Sequence, residues 1–147
     1  MSSFVLRSIA AAFALSCLLP AQADETTRIK VDMPPAAASV LREEMLMKLQ
    51  AIYLVEAALA EGKPADAAEF VERHLGMGAM GQHASQPPEA RPGRYLPDAM
   101  HAIGRQSHRI GSELAAALKA ADRPRIDAGM RDVTATCIAC HATYRIH

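Results

Sequence analysis

Near the C-terminus, within the stretch TCIACHATYRIH, Cys137, Cys140 and His141 spell C-x-x-C-H. Two thiols three residues apart, followed at once by an imidazole, form the pattern in which the sulfurs add to the vinyl groups of a haem while the histidine takes the iron. Other uses of a cysteine pair fit less well. A thioredoxin-like redox pair opens a helix after a strand, and no strand pattern precedes Cys137. A zinc site needs further soft ligands, and the third cysteine, Cys17, lies in the N-terminal leader. In an oxidising compartment the pair could also close a disulfide. The favoured reading is one covalent haem c per chain, bound by Cys137 and Cys140, with His141 as the metal ligand.

The other end of the chain agrees with that chemistry. MSSFVLRSIAAAFALSCLLPAQA carries one positive charge at Arg7, an apolar run from Ile9 to Leu19, and Ala21-Gln22-Ala23 as a small-x-small site. This reads as a signal peptide over residues 1–23, removed with Cys17, leaving one domain over 24–147. A lipoprotein reading of Cys17 is weaker, because Ala14 stands where a large aliphatic is usual. Export to the periplasm is expected, with no membrane insertion, since no later stretch is long and apolar enough to span a bilayer.

Composition narrows the partners. Lys+Arg 16 balance Asp+Glu 16, and losing Arg7 with the leader leaves one acid in excess, so there is no nucleic-acid footprint. The chain has no Trp, 3 Tyr and 3 Phe, so something other than aromatic side chains has to fill its middle.

The elements that must position the motif are helical. A first helix is expected from Pro34 to Glu61, stopped by Gly62, and a second from Pro64 to Leu75, stopped by Gly76. The loop GMGAMGQHASQPPEARPGR follows, long enough to act as a lid. A third helix is expected from about Pro97 to Ala121, with Met100, Ile103, Ser107, Ile110, Leu114 and Leu118 as its seam. A fourth starts near Pro124 and runs to the end, with Ile126, Met130, Val133, Cys137, Cys140 or His141, and Tyr144 on its buried stripe. The fold expected is all-α, an antiparallel four-helix bundle with covalent haem c near its C-terminus.

The order of these helices and the terminal motif, extended to Cys137, Cys140, His141, Tyr144 and Arg145, resemble the cytochrome c′ family and its low-spin relatives, the class II c-type cytochromes. The resemblance implies a bundle that often forms homodimers, His141 as proximal ligand, and Arg145 close beside it. It further implies a distal residue four positions after an arginine that approaches a haem propionate, and sixteen before the glycine ending the first helix. From Arg42 and from Gly62, both spacings arrive at Leu46. Arg42, Leu46, Leu49 and Tyr53 would then share the haem face. Leucine cannot bind iron, so this register implies five-coordinate iron open to NO or CO. A shift of one residue puts Met45 in place as a thioether ligand and makes the iron low-spin; Met47 is a further alternative.

Tyr144 is expected in the core. His74, His83, His101, His108 and His147 are expected at the rim or in solvent, and Met77 and Met80 in packing or lid roles. A second apolar face, Val40, Met47, Leu54 and Ala58, is expected at a homodimer contact. The function expected is a one-electron carrier acting with redox partner proteins and able to bind diatomic gases. The alternative is a low-spin electron-transfer cytochrome. A small haem enzyme is the weakest reading, because a distal acid–base pair is lacking.

Overall fold

The computed structural model describes residues 27–147, so the leader and its cleavage site lie outside the described residues. Among these the chain is mostly helical, with four α-helices: α1 (Pro35–Ala60), α2 (Ala68–His74), α3 (Asp98–Lys119) and α4 (Arg123–Thr143). Two short strands, β1 (Ile29–Lys30) and β2 (Tyr144–Arg145), pair in parallel, Ile29 with Tyr144 and Lys30 with Arg145. No described helix is long and apolar enough to cross a membrane.

Local chemistry sets the helix ends. Pro35 opens α1, where its missing N–H costs nothing. Gly62, at φ 71°, closes the helix as the amides of Gly62 and Lys63 donate to the carbonyls of Leu59 and Ala58. The end of α3 uses the same double hydrogen bond, from Ala121 to Leu118 and from Asp122 to Ala117, but puts Ala121 in the left-handed region at φ 51°. Asp122 then accepts from the Arg125 amide at 3.3 Å and starts α4. An L-residue pays roughly 1–2 kcal/mol in that conformation, and glycine gives back part of the gain through its freer unfolded chain. Ala121→Gly is therefore expected to stabilise the protein by about 0.5–1 kcal/mol, read as a higher denaturation midpoint at unchanged slope.

The second helix begins differently from the expectation. Pro64–Ala67 form a 3-10 turn, and the α-helix proper starts at Ala68. Its C-terminal carbonyls are held by basic side chains from both long neighbours: Lys48 Nζ of α1 donates to His74 O at 3.3 Å, and His108 Nδ1 of α3 faces Leu75 O and Gly76 O, each at 3.0 Å. Donors at a helix C-terminus satisfy its orphan carbonyls; Lys48 does so as a cation, and His108, whose pKa is lowered first by burial and then by the Lys48 charge, does so as an imidazole N–H. His108 is thus half-buried in a structural role rather than solvated. The loop of residues 76–94 contains three 3-10 turns, Met77–Ala79, Pro88–Ala90 and Pro92–Arg94. Gly111 lets this loop approach α3, since a Cβ there would lie 2.2 Å from Leu75 O.

The packed core lies at one end. Its fully buried large side chains are Val55, Val71, Leu75, Leu114, Leu118, Ile126 and Val133, contributed by the second half of α1, by α2, by the second half of α3 and by the first half of α4. Helices α3 and α4 fold back on each other and pack closely, Leu114 lying over Gly129. The approach of α4 to α1 is slight by comparison. At the other end, where the first half of α1, the first half of α3 and the last turns of α4 meet, the buried apolar residues are mostly smaller: Val31, Ala37, Ala38, Leu41, Ala79 and Ala90, with Tyr144 the one large ring. That end encloses cavities instead of aliphatic side chains.

Helix α4 departs from the expectation by ending at Thr143. The chain then extends as β2, which is anchored by β1 and by the Val31 amide donating to Arg145 O at 2.8 Å. Tyr144 is buried at 8% exposure, as expected of a core residue.

Candidate haem-attachment site

The last two turns of α4 carry Cys137, Cys140 and His141 at i, i+3 and i+4, which places them on neighbouring positions of one helix face. Both cysteines are free and half-buried. Burial raises both thiol pKa values above the ordinary range; at Cys137 the nearby Lys48 charge works against this, and at Cys140 the neighbouring Cys137 adds to it. Raised values keep the sulfurs protonated, unlike the depressed values of a catalytic redox pair. Among the described residues, no three His, Cys, Asp or Glu side chains gather as a metal-ion site.

A cavity of about 290 Å³ opens beside the motif, at the small end of the range for ligand pockets. Cys140, His141, Tyr144 and Arg145 line it from the C-terminal segment, Leu41, Arg42 and Met45 from α1, and Met100 from α3. Cys137 lies one turn deeper, against the aliphatic core. The wall contains Arg28, Arg42 and Arg145 and neither Asp nor Glu. Arg28 reaches the His141 carbonyl at 3.5 Å. Arg145 donates from Nη1 to the His147 carbonyl, but its buried Nε has no partner. A buried N–H without an acceptor carries a desolvation cost that an anionic group in the cavity would relieve. An apolar cavity with a cationic rim suits a flat apolar cofactor that bears carboxylates at one edge, and the two thiols suit its covalent attachment. The donor set of two thiols, an imidazole and cationic side chains has the chemistry of a haem c site, although His141 is exposed and the cavity as it stands is smaller than a haem.

The structure brings together most of the residues singled out in the sequence: Cys140, His141, Arg42, Met45 and Arg145 border one cavity, with Cys137 adjoining. Leu46 is not among them. It is 59% exposed on the outer face of α1, in line with Leu49 at 65% and Tyr53 at 67%. The inward face runs instead through Leu41, Met45, Lys48, Ala51, Ile52 and Val55. The reason is the phase of the helix: one residue is 100° of rotation, enough to carry a side chain from the cavity out to solvent, and the small buried alanines at 37, 38, 51 and 58 fix which face meets the core. The same rotation turns inward part of the face expected at a dimer contact. Ala58 belongs to the core, Leu54 packs against it, and Val40 and Met47 are half-buried.

Sequence reasoning missed Lys48. Its stem passes into the interior between α1 and α4, and burial lowers the ammonium pKa from the ordinary 10.5, with Glu44 and Cys137 pulling the other way. Between the lowered value and 10.5 the unfolded chain holds a proton that the folded chain does not, so this group makes stability rise with pH over that interval. Below the lowered value the full cost of the buried charge is felt. Lys48→Met, which also gives up the bond to His74 O, is expected to flatten the rise of the urea midpoint toward pH 10; an unchanged pH profile would show the charge to be well solvated.

Met100 was assigned only to packing, yet it stands at the cavity opposite α1. Met77 and Met80 are exposed and do not reach the motif. Compared with protein-family models, with curated proteins and with solved structures, the chain finds no match.

Proposed function

We propose that the chain is an exported, periplasmic c-type cytochrome with an antiparallel four-helix bundle, holding one haem c and carrying single electrons between redox partner proteins. The carrying observation is the arginine-rimmed cavity beside the C-x-x-C-H motif, with no Asp or Glu in its wall, at the end of the molecule where the buried residues are mostly small. Cys137 and Cys140 would hold the haem, His141 would take its iron, and Arg42 and Arg145 would meet its propionates. When bound, the haem supplies a reversible one-electron couple. The protein's part is to shield that couple from water and to set its charge environment, with the arginines favouring the propionates in their ionised form.

Met45, and not Leu46, would be the residue to offer a thioether to the iron, because Met45 borders the cavity and Leu46 faces outward. Such a ligand would favour low-spin iron and compete with CO and NO, which favours electron transfer over gas binding. The cavity face of α1 offers Leu41, Arg42 and Met45, with no histidine or carboxylate to move protons, so we read the protein as a carrier and not an enzyme.

The test is expression with haem-attachment machinery. The expected product is red, keeps its haem with the polypeptide in denaturant, and shows low-spin ferric and ferrous spectra. A colourless protein would end the reading, and a haem that separates on denaturation would remove its covalent part.

The exposed stripe of Leu46, Leu49 and Tyr53 is where we place a homodimer contact. Leu49→Glu is expected to shift the protein to a monomer in analytical ultracentrifugation at micromolar concentration while leaving the haem spectrum unchanged. A wild-type protein that is already monomeric there would rule the contact out.

A further inference from the structure

A second and larger cavity, of about 350 Å³, lies under the loop of residues 76–94, where that loop crosses α1 and α3. It shares Leu41 with the cavity beside the cysteines and otherwise has different walls. Three arginines are among the residues that border it, Arg91 and Arg94 from the loop and Arg105 from α3, the last two with exposed side chains.

The histidines around it are already engaged. His101 Nε2 is 2.7 Å from Gly93 O and fixes the loop, while His108 Nδ1 faces the carbonyls at the end of α2. His83 Nε2 lies 2.6 Å from Glu44 Oε1, a close contact without hydrogen-bond geometry, and Glu44 is the cavity's one acid. The arginines are less committed. Arg91 donates through Nε to Gln86 O at 2.7 Å, which leaves its terminal nitrogens free to turn inward. Arg94 and Arg105 have no side-chain hydrogen bond or ion pair among the described residues. With Glu44 set against one arginine, the wall keeps two formal positive charges and no anion to meet them. Arginines brought to one cavity from two segments need anions between them, and guanidinium groups match carboxylate and phosphate oxygens in fork geometry.

We propose that this loop cavity binds a small organic anion bearing two or more carboxylate or phosphate groups, independently of the haem. The volume admits a body of several carbons as well as the charged groups. The apolar part of the wall, Leu41, Ala79, Met80 and Leu96, would cover that body. The loop then acts as the site's roof and its source of charge.

Calorimetric titration of the mature, haem-loaded protein tests this with citrate, with inorganic phosphate, and with glycerol as a neutral control. Citrate is expected to bind at one site per chain, and Arg105→Gln and Arg94→Gln are each expected to weaken binding roughly tenfold, the loss of one charge-assisted contact. Arg123→Gln, which removes a surface arginine paired with Asp127 on α4, is expected to change nothing. Saturable citrate binding assigns the site to polycarboxylates, and phosphate binding without citrate binding assigns it to phosphate esters; both support it. No saturable heat with either anion up to roughly 10 mM would overturn the proposal. So would a loss in Arg123→Gln as large as in Arg105→Gln.

Discussion

Cys137→Ala with Cys140→Ala is expected to abolish covalent haem attachment and to reduce recovery of folded protein by an order of magnitude or more. Each single variant is expected to leave one thioether and an intermediate yield. The physical reason is where the cysteines lie. Large aliphatic side chains close the core at the far end, from Val55 to Val133, whereas the end carrying the motif is packed by alanines and Leu41 around open space. Unfilled apolar volume costs stability roughly in proportion to its size, and binding energy that exists only in the folded state adds directly to folding. Without the haem, the unpartnered Arg145 Nε remains as a desolvated polar group in a loosely packed region. Holoprotein yield after denaturing separation, with pyridine haemochrome spectra to count thioethers, measures the effect. Full yield with covalent haem in the double variant would overturn the attachment proposal.

Met45→Leu is expected to convert a low-spin spectrum into a high-spin one, to lower the reduction potential, and to let the ferrous protein bind CO. The exchange conserves volume closely enough that folding should change by less than about 1.5 kcal/mol, so the spectrum reports ligation and not collapse. Leu46→Ala provides the contrast. At 59% exposure it is expected to leave the spectrum and CO affinity unchanged. A spectrum insensitive to Met45→Leu and changed by Leu46→Ala would restore the open-site register. A spectrum insensitive to both, but converted by Met100→Leu, would move the ligand to α3, whose Met100 borders the same cavity.

Much of the architecture was legible along the chain. Proline and glycine mark where α1 starts and stops, because one residue lacks a donor and the other tolerates a positive φ; these are local properties. The seam of α3 and α4 was equally legible, since Leu114, Leu118, Ile126 and Val133 repeat at helical spacing and all are fully buried. The C-x-x-C-H motif consists of contiguous residues, so it is recognised without any fold, and the haem chemistry proposed for it starts from that pattern.

What the sequence could not settle was the rotation of α1 about its own axis. Its first half has apolar residues nearly all round, with Leu41, Met45, Leu46, Met47 and Leu49 within little more than two turns, so periodicity favours no single face. The choice was made by alanines at 37, 38, 51 and 58 fitting close against neighbouring elements, a matter of steric contact between segments distant in the chain. That contact turned Met45 inward and Leu46 outward. Tertiary structure likewise gathered Arg28, Arg42 and Arg145 from three distant segments, and ended α4 at Thr143 by offering β1 as a partner for the last residues. Local sequence determined the helices and the reactive motif; long-range packing decided which side chains face the cavity beside it.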